Sequence, residues 1–193
     1  PRGTTAGIFD NEGNCLPAQA VSSRSDGTYW LIWLKDIPAF GYRKYLIRPV
    51  SGASDMQQAN QGAVLENKWY RIVPDLARGT IASLYDKELS LELADRSSQY
   101  GLAEFILEKL ANRSQMESRR LDAFERMPLD TVWFDSVTQG PVFNSIRFYG
   151  ETETAVSPRG FTIEFRLYNT EKRIEIACSI TKKSIIAPES FYI

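Results

Sequence analysis

The chain has no histidine among its 193 residues. That absence excludes Ser-His and Cys-His nucleophiles, and it leaves any zinc site to carboxylates alone. Only two cysteines are present, Cys15 and Cys178, far apart and outside any metal-type spacing. Cys178 alternates with Ile174, Ile176 and Ile180, so the expected role is a small buried core thiol. No apolar run approaches the roughly 20 residues that span a bilayer, so no membrane partner is expected. Charge of one sign is lacking too: 23 Lys and Arg stand against 24 Asp and Glu. No net field therefore points to nucleic acid or to an anionic surface. Pro1-Arg2-Gly3 carries neither an initiator methionine nor a signal-peptide core, reads as a cut end, and leaves the compartment open.

What is present is β-structure. Trp69 to Val73 is aromatic and β-branched, Gly79 supplies the freedom for a reversal, and Ile81 to Tyr85 resumes an extended run. Leu89, Leu91 and Leu93 then alternate with Ser90 and Glu92, the period of a strand with one buried face. Phe161, Ile163, Phe165 and Leu167 alternate with polar residues before the four-residue loop Asn169-Thr170-Glu171-Lys172. Registering the strands across that loop sets Leu167 opposite Ile174, Phe165 opposite Ile176 and Ile163 opposite Cys178, with Arg166 beside Glu175 on the other face.

Three segments follow from composition. Residues 1–50 carry short strands, notably Tyr29 to Leu34 and Tyr42 to Ile47, and form a partial small β-domain. Residues 51–62 are small and polar and read as a linker. Residues 63–193 begin a large β-domain, expected to be truncated at its C-terminus. The capping-box pattern Ser114-Gln115-Met116-Glu117, with Pro128 as a stop, predicts one short helix of about three turns. The fold class is all-β and mainly antiparallel.

Several residues invite a functional reading. Trp30, Trp33, Trp69 and Trp133 could stack on sugar rings, though core or domain-interface packing is the expected role. Asp130 and Asp135 could imitate a glycosidase carboxylate pair, but five residues apart on a strand puts them on opposite faces. Glu151 and Glu153 read as solvated loop charges. No catalytic and no metal-binding residue is assigned.

Leu65-Glu66-Asn67 with Trp69-Tyr70-Arg71-Ile72, then Gly79-Thr80-Ile81-Ala82-Ser83-Leu84-Tyr85-Asp86-Lys87, then Leu91-Glu92-Leu93, resemble the opening of the C-terminal β-domain of glycoside hydrolase family 38, the retaining α-mannosidases. Leu16-Pro17-Ala18-Gln19 and Ile37-Pro38-Ala39-Phe40-Gly41-Tyr42 resemble upstream segments of that family, in order and at compatible spacing. Gly140-Pro141-Val142 with Ser145-Ile146, and Phe191-Tyr192-Ile193, extend the resemblance over nearly the whole chain. It implies a β-sandwich of the galactose-mutarotase-like supersandwich type, supporting a catalytic domain that supplies the nucleophile, the acid/base carboxylate and the zinc.

The resemblance implies no cofactor in this chain. Its partners would be that N-terminal catalytic domain and, through it, mannose-containing glycans; self-association is also expected. In the family the segment matching Tyr100-Gly101-Leu102-Ala103-Glu104-Phe105 approaches the sugar, with a polar or aromatic residue two positions after the glycine. Ala103 occupies that position, leaving Glu104 as the candidate substrate contact. A stand-alone carbohydrate-binding β-sandwich is the alternative function.

Overall fold

The computed structural model describes residues 6–50, 57–58, 64–120 and 122–193. The chain is an antiparallel all-β protein with one short helix. The first fifty residues make two two-stranded sheets: β1 (Ala6–Phe9) pairs with β4 (Leu46–Pro49), and β2 (Ala18–Arg24) pairs with β3 (Gly27–Ile32). The strand expected over Tyr42 to Ile47 begins only at Leu46, after an irregular loop. Of the expected linker, Gln57–Gln58 form β5 and pair with Gln139 and Thr138; the rest of that stretch lies outside the described residues.

The large β-region is a sandwich. One layer is the sheet ordered β15-β14-β13-β12-β5, built from β12 (Thr131–Gln139), β13 (Phe143–Glu151), β14 (Phe161–Tyr168) and β15 (Ile174–Ile180). Facing it are two smaller sheets. The first is β6 (Leu65–Glu66), β7 (Tyr70–Asp75), β8 (Thr80–Asp86) and β9 (Leu91–Glu92); the second sets β10 (Ile106–Leu110) between β11 (Phe124–Met127) and β16 (Glu189–Tyr192). The core lies between these layers. Ile146, Phe148, Phe161, Ile163, Phe165 and Leu167 from the large sheet meet Leu65, Ile72 and Ile81 from the first small sheet and Phe105 and Leu107 from the second.

The β14–β15 hairpin has the register that alternation predicts: Leu167 faces Ile174, Phe165 faces Ile176, Ile163 faces Cys178 and Arg166 faces Glu175. The burial is lopsided. The β14 residues are buried, while Ile176 and Cys178 are exposed. Among the described residues β15 is the edge of its sheet, and of its apolar row Ile174 and Ile180 pack against the core while Ile176 and Cys178 between them stay exposed. The buried-core expectation for Cys178 is therefore corrected, although protein packed to one side of the sulfur desolvates the thiol and pushes it up to about 11.

Two further expectations change. Leu89, Leu91 and Leu93 do not bury a face; all three are exposed, and the inward residue is Glu92. Its carboxylate accepts from the Ser83 hydroxyl (2.5 Å) and from the backbone N–H of Leu84 (2.7 Å) and Ala94 (3.0 Å), which fixes the outward turn of the leucines. The helix α1 covers only Ser114–Ser118. Ser114 spends its hydroxyl on Asn112 rather than on a helical N–H, and Arg119 ends the helix in the left-handed conformation (φ 54°). Buried Gln115 then bonds the backbone of Asp122 and Ala123, turning the chain into β11.

Candidate functional site

The segment singled out for sugar contact does face a cavity. Residues Tyr100 to Glu104 form one wall of an open cleft of about 540 Å³, completed by Leu93, Arg126 and Tyr192 from three different strands or strand ends. A chain of short turns shapes this wall. Asp95 accepts from the N–H and hydroxyl of Ser97 (2.8 and 2.6 Å), and Ser98 accepts from the N–H of Tyr100 (3.2 Å). Gly101 packs against Thr80, where a Cβ would come within 3.1 Å of the hydroxyl. Leu102 accepts from the N–H of Ile81 at 3.1 Å, tying the wall to β8. Ala103 is buried with φ 60°, a region that non-glycine residues seldom occupy.

Glu104 lies in this wall but is almost fully buried. Arg78 donates to both of its oxygens, Nε to Oε1 at 3.1 Å and Nη2 to Oε2 at 2.5 Å, and Gly101 N–H donates to Oε2 at 2.7 Å. A carboxylate engaged this way is a structural clamp between β7–β8 and the cleft wall. With three of its acceptor sites engaged and its charge paired with Arg78, it is not poised for attack or proton transfer. Glu108, one strand on, is equally committed: Arg126 Nε donates to it at 2.7 Å and the Tyr192 hydroxyl at 3.1 Å. The cleft therefore presents two tyrosines, apolar walls, a guanidinium and the Asp95 carboxylate that accepts from Ser97, with the buried carboxylates Glu104 and Glu108 already paired with arginines. That inventory suits recognition of a polar ring and lacks the paired free carboxylates of glycoside hydrolysis.

Sequence reasoning located Glu104 and its segment but missed Arg126 and Tyr192. Both reach the cleft through pairing of β10 with β11 and β16, and the Glu108–Tyr192 bond spans 84 residues. Asp130 and Asp135 do not form a site: Asp130 precedes β12, and Asp135 is held by Arg147 at 2.6 Å. Glu151 accepts from the Ser157 hydroxyl, and Glu153 pairs with Lys109. Trp133 stacks on Tyr149 with ring centroids 5.1 Å apart. Among the described residues no cluster of three acidic or cysteine side chains could hold a metal.

Several polar residues of the family-like motifs hold the fold together. Asn67 accepts from the N–H of Trp69 and Tyr70 (2.8 Å each) and donates to the Tyr168 carbonyl at 2.6 Å. Lys87 donates to the Asn67 carbonyl (2.6 Å) and pairs with Glu66 (2.7 Å). Asp86 caps its turn by accepting from Glu88 and Leu89 N–H and pairs with Lys172 at 2.9 Å. Gln19 accepts from the backbone of the Gly140–Val142 turn region. No protein-family model and no curated protein matches the chain, so the family resemblance rests on these motif residues themselves.

Proposed function

We propose that this chain is the noncatalytic C-terminal β-region of a family 38 α-mannosidase, packing against a catalytic domain and buttressing its cleft. The observation that carries this reading is how the motif residues sort. Asn67, Asp86, Lys87 and Gln19 are engaged inside the fold, while the apolar motif Ile37-Pro38-Ala39-Phe40-Gly41-Tyr42 points outward. Phe40 is fully exposed and Tyr42 is 86% exposed, on a loop closed by a Gly41 N–H bond to the Pro38 carbonyl at 3.0 Å. Phe40 also takes a left-handed conformation (φ 57°). A bulky residue held there, in water, is what a surface shaped for a neighbouring domain leaves behind.

Zinc and the reacting carboxylates belong, on this reading, to the catalytic domain. This chain has no histidine to contribute. The cleft beside Tyr100 and Tyr192 would then border the mannoside site, with Glu104 shaping its wall. The test is reconstitution: an N-terminal catalytic region of a family 38 enzyme is coexpressed with this chain, and aryl α-mannoside hydrolysis is measured. The expected result is zinc-dependent activity that falls with Phe40→Ser and Tyr42→Ser and is absent from this chain alone. Zinc-dependent turnover by this chain alone, or no association with any such catalytic region, overturns the reading. The stand-alone carbohydrate-binding alternative draws on the tyrosines of the cleft, and saturable binding of manno-oligosaccharides by the isolated chain would favour it.

A further inference from the structure

A second cleft, of about 530 Å³, lies between the first fifty residues and the ends of the large β-region. Its lining includes Trp33, Tyr45 and Thr170, with Lys35, Arg43 and Lys68 around it. Gln19 joins the two parts by accepting from the Val142 and Phe143 N–H groups at 3.3 and 3.1 Å, and within the large β-region the Asn169 side-chain amide donates to the Gly140 carbonyl at 2.8 Å. Trp33 is fixed by its backbone, which donates to the Pro17 carbonyl at 2.9 Å.

Two buried polar groups of residues that line this cleft have no protein partner. The Trp33 indole Nε1 and the Thr170 hydroxyl are both buried and make no hydrogen bond. An indole N–H can only donate, and leaving it dry and unpaired is costly. Three cations line the cleft, and among the described residues Lys35, Arg43 and Lys68 form no ion pair, while Lys68 stands over the Trp69 ring at 4.1 Å. Two acids also line the cleft. Asp10 is committed to its own turn, accepting from the Asn14 side chain (2.9 Å) and from the N–H of Asn14 and Glu12. Asp36 makes no ion pair among the described residues and remains able to accept from a hydroxyl.

We propose that this cleft binds an anionic sugar unit, a pyranose carrying a carboxylate or a phosphate. Trp33 and Tyr45 offer aromatic surface to the apolar face of a ring, Asp36 can accept from a hydroxyl, and the three cations, which outnumber the two acids of the lining, suit the charge. The volume is within the range of small-ligand sites. This goes beyond the mannosidase reading and does not depend on it, because none of these side chains belongs to the Tyr100 cleft.

The test is titration of the intact chain with mannose, mannose 6-phosphate, glucuronic acid and inorganic phosphate, followed by tryptophan fluorescence and amide NMR shifts. At least one charged sugar is expected to bind about tenfold more tightly than mannose, the gain of one charge-assisted contact. Whether glucuronic acid or mannose 6-phosphate binds better distinguishes the two sources of charge. Arg43→Ala and Lys68→Ala are expected to erase that preference, with shifts confined to residues around Trp33 and Thr170. Equal binding of mannose and the charged sugars, phosphate binding as well as either charged sugar, or no saturable binding at all would each overturn the proposal. Arg43 and Lys68 are exposed and make no hydrogen bond through their side chains among the described residues, so these variants test binding without threatening the fold.

Discussion

Gln19 and Phe143 are joined by a hydrogen bond across 124 residues: the Gln19 Oε1 accepts the Phe143 N–H at 3.1 Å and the neighbouring Val142 N–H at 3.3 Å. This side chain closes the β12–β13 turn from outside. Gly140 makes room for it, since a Cβ there would fall 2.2 Å from the Gln19 amide.

Gln19→Ala is therefore expected to leave two buried backbone N–H groups unpaired and to cost about 1–3 kcal/mol. Gly140→Ala should destabilise by forcing the same amide out of place. The double variant should lose less than the sum, because both changes break one contact. Denaturant melts of the two single variants and the double variant measure this; strict additivity would separate the two residues.

The hairpin gives a second prediction. Phe165 and Ile176 face each other, yet Phe165 is fully buried and Ile176 is 42% exposed. Phe165→Ala should cost roughly 3–5 kcal/mol through lost burial and the cavity left behind. Ile176→Ala should cost well under half as much, because edge exposure has already forfeited much of its transfer energy. Arg166 points to the other face, donates to Glu164 and Glu175 at 2.7 Å each, and lies over Phe143. Its removal should cost about 0.5–2 kcal/mol, more than a solvated surface residue and less than Phe165.

These particulars show what the sequence could and could not reveal. Alternation and a four-residue loop determine the Phe161–Ile180 register, because a one-residue slip would turn every apolar side chain to the other face. Alternation cannot say which face a neighbouring layer covers. Leu89, Leu91, Leu93 and Cys178 have the period of a half-buried strand, but they lie in or beside edge strands and remain exposed. The three-turn helix failed on a competing local bond, from Ser114 to Asn112. In the site, only the resemblance drew attention to the Tyr100–Phe105 segment and, with Ala103 at the position of interest, to Glu104. Its burial under Arg78, and the arrival of Arg126 and Tyr192, depend on pairings too distant for local pattern to encode.

Acid should reveal the Asp86 clamp. Its carboxyl is held below its ordinary value of 3.8 chiefly by the hydrogen bond from Lys172, then by the N–H groups of Leu89 and Glu88, against the opposing effect of burial. A carboxyl with a depressed folded pKa contributes stability that is complete above its unfolded value and is lost as pH falls through the folded one. Stability supplied by this group should thus persist at neutral pH and drain away below about pH 4. Melting temperatures followed across that window should fall less steeply in Asp86→Asn than in the unaltered chain. Parallel curves would show that the clamp does not distinguish the two protonation states.

The exposed edge of β15 carries the last prediction. Ile174, Ile176, Cys178 and Ile180 form one apolar row on a strand with a single neighbour, and the Phe40 loop adds exposed aromatic surface elsewhere. Unpaired strand edges pair with other chains unless a charge interrupts them. The only charge within β15 is Glu175, which is already engaged by Arg166 and Arg173. The isolated chain should therefore self-associate as concentration rises. Ile176→Lys places an inward-facing charge in the middle of the apolar row and should shift the chain toward monomer, at little cost to its own stability because the position is part-exposed. If the association runs through the Phe40 loop instead, Phe40→Ser restores the monomer and Ile176→Lys does not. Light scattering on both variants at matched concentrations separates the two surfaces, and a monodisperse monomer from the unaltered chain at every concentration would rule out both.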